Sequence, residues 1–204
     1  MKTIPVIIDT DIGSDIDDTW ALAMAFGCPE LDIKLITTCT GDTTYRAKIV
    51  CKFLEHVGHT EIPVGLGLTF DSLSENQRAY IDGYQLRDYP GEIVDDGVRA
   101  MADVNMQSEE TVTLICLGPL QNIQKLLQIC EGGVHSHLVL PLKLSPHGSE
   151  LLLRASCWVD VVHNVDVDVI HVQDDLVAAL AIVHYISKNN LSVENLSLSV
   201  AGPC

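Results

Sequence analysis

Short apolar runs alternate along this chain with stretches in which apolar residues recur every three to four positions. Residues 4–8 (IPVII) are an unbroken apolar run, as expected of a strand covered on both faces. Residues 19–26 (TWALAMAF) predict a helix, and 32–38 (DIKLITT) a second strand. In residues 46–57, Ala47, Val50, Phe53, Leu54 and Val57 fall on one helical face, and Gly58 is a natural stop. Residues 62–65 and 111–117 predict further strands. Residues 119–130 predict a helix opened by proline and ended at Gly132-Gly133. Residues 68–90 are polar with little period and read as a surface loop. Beyond Gly133, residues 138–144 predict a strand, 174–187 (DDLVAALAIVHYIS) a helix and 193–200 a last strand.

Strands regularly separated by helices imply an α/β fold. The expectation is a single domain over residues 1–204, with a mostly parallel sheet flanked by helices. In such sheets ligands sit at the carboxyl ends of the strands. The segment after residues 4–8 and the Gly118-Pro119 pair after residues 111–117 should therefore share one rim.

The first of those segments carries the candidate chemistry. Residues 9–18 read DTDIGSDIDD, placing Asp9, Asp11, Asp15, Asp17 and Asp18 within ten residues. Carboxylates so crowded must take up protons or share a cation. An oxygen-only donor set indicates a hard cation, calcium before magnesium. The plainer reading makes Asp17 and Asp18 helix caps, which leaves Asp9 and Asp11 unexplained. An EF-hand is excluded, because its sixth and twelfth positions, counted from Asp9, hold Ser14 and Trp20 rather than glycine and an acid. Trp20 itself is expected in the core.

Composition narrows the partners. The formal net charge is −16, which argues against nucleic acid, anionic membranes and polyanionic substrates. A neutral small molecule or a cation suits it better. Seven scattered cysteines without a Cys-x-x-Cys pair read as reduced, mostly buried thiols. The amino-terminal apolar run is too short for a signal peptide, and no run approaches the roughly 20 residues of a membrane helix. A cytoplasmic protein is expected. The eight histidines sit in no recognised pattern.

The stretch from Asp9 to Leu22 (DTDIGSDIDDTWAL) resembles the signature of the inosine–uridine-preferring nucleoside hydrolases, in the form with two extra residues. Thr37–Asp42 (TTCTGD) resembles that family's segment after its second strand, with Asp42 for the usual asparagine. Leu117–Asn122 (LGPLQN) resembles its G-P-L-T-N segment, with Gln121 for threonine. The resemblance is good over residues 1–135, and residues 136–204 are divergent or shortened.

The resemblance implies a Rossmann-like core and calcium-dependent hydrolysis of the N-glycosidic bond of ribonucleosides. Asp11 would be calcium ligand and general base, and Asp18 the strong ligand. The Leu117 carbonyl would be a further ligand, and Asp174 the last. Asp17 would bind ribose hydroxyls, and Asp42 would line the ribose pocket. Asp9 would support the loop, while Asp15, inside the two-residue extension, takes no assigned role. Gln173 would stand where the family has a histidine that assists the departing base. Residues 173–179 match an earlier family segment equally well, in which case the last calcium aspartate is missing, and a helix-cap role for Asp174 and Asp175 also stays open. The implied partner is a nucleoside, with a homo-oligomer compatible. Two alternatives stand beside this reading. One is a shortened, inactive relative that keeps calcium or ribose binding. The other is a D-x-D phosphatase with Asp9 as nucleophile, for which Gly13 and the Asp17-Asp18 pair are a poor fit.

Overall fold

The computed structural model describes residues 3–70, 74–130, 136–143 and 166–172. Its strands are β1 (Ile4–Thr10), β2 (Leu31–Thr38), β3 (Val64–Leu66), β4 (Ile93–Val94), β5 (Val112–Cys116), β6 (Ser136–Lys143) and β7 (Asp166–Val172). They form one sheet in the order β4-β3-β2-β1-β5-β6-β7. Every neighbouring pair is parallel. The helices are α1 (Asp17–Phe26), α2 (Thr43–Val57), α3 (Gly97–Gln107) and α4 (Gln121–Ile129).

The pleat of β1 explains both layers. Successive strand residues point to opposite faces. Val6 and Ile8 join a core with Ala21, Leu22 and Ala25 of α1 and Ala47, Val50 and Leu54 of α2. Ile7 points the other way, into a core with Val98, Met101 and Ala102 of α3 and Ile123 and Leu126 of α4. Neighbouring strands divide in the same manner, with Ile36 and Ile115 in the first core and Leu35 and Leu114 in the second. Each valine, leucine, isoleucine or methionine so buried contributes about 1.5–3 kcal/mol. Two apolar faces per strand explain why β1 reads as a continuous run rather than an alternation.

The chain winds outward from β1 to β4, then returns to the other side of β1 for β5, β6 and β7. The order therefore reverses between β1 and β5. The crevice at the carboxyl ends of those two strands is where ligands bind in open α/β sheets. Residues 11–16 leave β1 there, and Leu117-Gly118 leaves β5 there. The backbone of Leu117 bonds to β1 directly, its N–H donating to the Asp9 carbonyl at 2.7 Å.

Several expectations change in the structure. Asp9 and Thr10 belong to β1 rather than to the loop. The surface-loop reading of residues 68–90 is too simple. Two short 3-10 turns, Arg78–Ile81 and Leu86–Asp88, lie within it, and Ile81 and Tyr89 are buried against the α2 side. Trp20 is 39% exposed and not a core residue. Its place on α1 turns it outward, while Ala21, Leu22 and Ala25 take the buried face. Helix α3 and strands β4 and β7 have no counterpart in the periodicity reading. The expected helix 174–187 and strand 193–200 lie outside the described residues. Among the described residues Cys28, Cys39, Cys51 and Cys116 are buried, unpaired thiols, and no helix is long and apolar enough to cross a membrane.

Candidate active site

Asp9 comes last but one in β1, on the face that meets α3 and α4. It is 1% exposed. Its Oδ1 accepts bonds from Thr37 Oγ1 at 2.6 Å and Asn122 Nδ2 at 2.8 Å. Thr37 is its register partner on β2. Asn122 is fully buried on α4, donates again to the Thr38 carbonyl at 3.1 Å and accepts from the Leu68 N–H at 2.8 Å. One asparagine thus ties β1, β2, α4 and the segment after β3 together. Burial raises the Asp9 carboxyl from its ordinary 3.8 to about 6, against the pull of the Thr37 and Asn122 bonds. A carboxylate held this way inside the protein fits the phosphatase nucleophile's role poorly.

Thr10 faces the opposite side. Its hydroxyl donates to Asp18 Oδ2 at 3.0 Å and accepts from the Ile12 N–H at 3.1 Å. Asp18 is 3% exposed, in the first turn of α1. The Asp11 and Asp18 carboxyls lie close enough that each shifts the titration of the other. Burial raises both above the ordinary carboxylate range, Asp18 well above it. The adjoining charges of Asp11 and Asp17 push Asp18 further, while Thr10 opposes. For Asp11 the Arg46 charge pulls the other way. Two carboxyls forced together in this manner hold a proton between them or give it up to a cation. Their hard oxygen donors suit calcium or magnesium.

The crevice is closely bounded. A Cβ on Gly118 would stand 2.5 Å from Cys39 Sγ and 2.9 Å from Asp11 Oδ1, so only glycine allows the β5 loop to approach Asp11. Leu117, whose carbonyl is a candidate ligand, is the preceding residue. Gly13 adopts φ 106°, a left-handed conformation that glycine alone takes without strain. A side chain there would meet Tyr45 and Ile49.

The candidate residues therefore divide. Asp11, Asp18 and the Leu117 backbone are brought to one crevice. Asp17 is half-buried beside Asp18 in the same helical turn. Asp42 is exposed at the end of the β2 loop and has a structural task, accepting from the Tyr45 N–H at 3.0 Å as the cap of α2. Asp15 is exposed. Asp174 and Gln173 lie outside the described residues. Asp17 and Asp18 are not caps, because Ile16 holds that position and makes no side-chain bond. Among the described residues no three His, Cys, Asp or Glu side chains converge as a metal cage. A cation held there would draw on the two carboxylates together with backbone oxygen.

Sequence reading missed the groups that hold the acidic loop in place. Arg46, 1% exposed, reaches it from α2. Tyr45 Oη donates to the Gly13 carbonyl at 3.0 Å. Asn76 and Gln77, from the stretch read as surface loop, bond to Gly13, Ser14 and Asp15. Arg46 was the findable one. It sits four and eight residues before the buried Val50 and Leu54, and a cation on an apolar helix face requires acceptors inside.

The profile of the inosine-uridine preferring nucleoside hydrolases matches residues 6–136. The chain is 31% identical over 134 residues to the non-specific ribonucleoside hydrolase RihC of Klebsiella pneumoniae, a match covering 61% of this chain and 43% of that one. It is 33% identical over 137 residues to RihC of Escherichia coli, covering 62% and 44%. The chain thus spans less than half the length of the curated relatives it matches. Among solved structures, the purine-preferring ribonucleoside hydrolase of Gardnerella vaginalis superposes with TM-score 0.55 at 21% identity, over 83% of this chain and 60% of that one. The effector protein XOO4466 superposes with TM-score 0.63 at 15% identity, over 84% and 56%. At these identities the superpositions bear on the fold alone.

Proposed function

Because this chain belongs to the inosine-uridine preferring nucleoside hydrolase family, we propose that it hydrolyses the N-glycosidic bond of ribonucleosides to ribose and free base, with calcium as its cofactor. The observation that carries this reading is half-buried Asp11 set beside buried Asp18 at the crevice where the strand order reverses. Asp11, Asp18 and the Leu117 carbonyl are the residues here that would hold calcium, with Asp174 as the last ligand. When bound, the ion supplies a Lewis acid that orients and acidifies a water.

The rest is the chain's own work. Asp11 accepts the proton of the attacking water, which a carboxylate freed of its shared proton can do. Cleavage of a glycosidic bond passes through a cationic sugar, and the negative charge of Asp11, Asp17 and Asp18 favours that cation. Asp17 and Asp42 contact the ribose, whose vicinal hydroxyls then distinguish it from deoxyribose. Asp9 stays in the interior and fixes the end of β1. Gln173 cannot deliver a proton to the departing base, since an amide is not a usable acid near neutrality. Bases that leave poorly should therefore be released slowly. The chain acts as one domain in the cytoplasm, without nucleic acid or membrane, and as a homo-oligomer if copies associate.

The test is release of base from inosine, uridine and nitrophenyl riboside, with calcium and with a chelator. Calcium-dependent cleavage, fastest on the activated riboside, is expected. Equal, high kcat/KM for all three would show that an effective acid exists and that Gln173 is wrongly placed. Calcium binding without cleavage of any substrate would favour an inactive relative that retains the site.

A further inference from the structure

Five consecutive carbonyls of the acidic loop, from Asp11 to Asp15, are all engaged by residues outside it. Arg46 Nη1 donates to the carbonyls of Asp11 and Ile12, the latter at 2.7 Å. The Gly13 carbonyl accepts from Tyr45 Oη and from the Asn76 N–H, at 3.0 and 2.9 Å. Asn76 Nδ2 bonds to the Ser14 carbonyl, and Gln77 Nε2 to that of Asp15 at 2.6 Å. With its carbonyls held by these donors, the loop has a fixed backbone from which its carboxylates reach the crevice.

Arg46 carries the largest share of this fixation. Its Nη2 also donates to Ser14 Oγ at 3.1 Å, and its Nε to the Thr40 carbonyl at 2.8 Å. Thr40 is in the left-handed region at φ 54°, which a β-branched residue avoids unless held. One planar group therefore spans the loop after β1 and the loop after β2, and fixes where Asp11 begins. Its four acceptors are three carbonyls and a hydroxyl, so it binds backbone position rather than neutralising a carboxylate by contact. A lysine offers one nitrogen and cannot reproduce that fork.

We propose that Arg46 is the positioning residue of the acidic loop, setting calcium affinity by holding the Asp11–Ser14 backbone where Asp11 and Asp18 can share one ion. This rests on the reading that the loop binds calcium. Electrostatics alone predicts the opposite sign, since deleting a buried positive charge beside a cation site should tighten calcium.

The test titrates calcium chloride by calorimetry into the chelator-treated, dialysed full chain, its Arg46→Met variant of similar volume, and its Arg46→Lys variant. Circular dichroism and Tm are followed in parallel. Arg46→Met should weaken Kd about 10- to 100-fold, the usual cost of losing a group that orients metal ligands, and Arg46→Lys should fall between it and wild type. An Arg46→Met protein that binds as tightly as wild type or more tightly overturns the proposal. So does a folded Arg46→Lys protein with wild-type Kd, whether or not Arg46→Met folds. A purely structural role would lower Tm and leave the Kd of folded protein unchanged, which also overturns it. A wild-type chain that takes up no calcium overturns the calcium reading together with this one, whereas wild-type binding with unaffected variants overturns this one alone.

Discussion

Two segments of this molecule share a local pattern of strand, adjacent aspartates and helix. After β4 come Asp95 and Asp96, then α3, and after β1 and its loop come Asp17 and Asp18, opening α1. The outcomes differ. Asp95 and Asp96 are exposed, and Asp96 caps α3 by accepting from the Arg99 N–H at 2.9 Å. Asp18 is buried against Thr10 and Asp11 and makes no cap. The same dipeptide caps the start of a helix in one place and lines a carboxylate-crowded crevice in the other. What separates them is the company each carboxylate keeps: the loop after β1 brings Asp11 beside Asp18, whereas Asp96 stands exposed and bonds to the backbone of its own helix.

The contrast breaks most visibly in activity. Asp11→Asn should lower turnover by about 10²- to 10⁴-fold through loss of the base alone, with the fold retained, while Asp96→Asn should leave it unchanged. Steady-state cleavage of inosine with calcium measures both. Near-normal kcat in Asp11→Asn would move the base to Asp15 or Asp17.

The next effect is on stability against pH in chelator. Burial raises Asp9 to about 6 from 3.8. A raised carboxylate means the folded state binds the extra proton. Its contribution is therefore complete below about pH 4 and lost as pH rises through about 6, a change of up to about 3 kcal/mol. Denaturant titrations between pH 4 and 7 should show wild type losing this increment and Asp9→Asn lacking it. An identical pH slope in both proteins would show that Asp9 titrates normally.

Calcium comes third. It should stabilise wild type by about 2.7 kcal/mol at a concentration a hundred times Kd. Asp18→Asn should remove that gain, yet melt higher than wild type in chelator, because the neutral side chain suffers neither burial of charge nor repulsion from Asp11 and Asp17. A Tm that calcium leaves unchanged in wild type would dispose of the metal site.

The smallest effect lies at the other pair. Asp96→Ala should cost about 1 kcal/mol, the usual worth of a helix cap, and leave calcium binding untouched. Chemical denaturation and calorimetry on the same variant check both halves. Altered calcium affinity would mean that the two segments communicate.

Much of this was legible along the chain. The run at residues 4–8 showed itself as a strand covered on both faces and that at 111–117 as a further strand, and Gly58, left-handed at φ 81°, ends α2 as its position predicts. The clustering of acids in residues 9–18 pointed to the end of β1 as the candidate site, because carboxylates so crowded must take up protons or share a cation. Short or uneven elements were not legible. Strand β4 has two residues and carries no period, and Trp20 looked like core although its helix turns it to the surface.

What the sequence determined alone was therefore local: which residues are apolar enough to be strands, and which are too acidic to be left without a proton or cation. Tertiary structure decided the rest, because hydrogen bonding and desolvation depend on neighbours distant in the chain. It placed Asp9 in the interior and Thr10 beside Asp18 by the pleat of a single strand. It brought Asn122 across 113 residues to the Asp9 carboxyl and Arg46 across 35 to the Asp11 carbonyl. No local pattern encodes those distances, since they exist only once β2 and β5 have closed on β1.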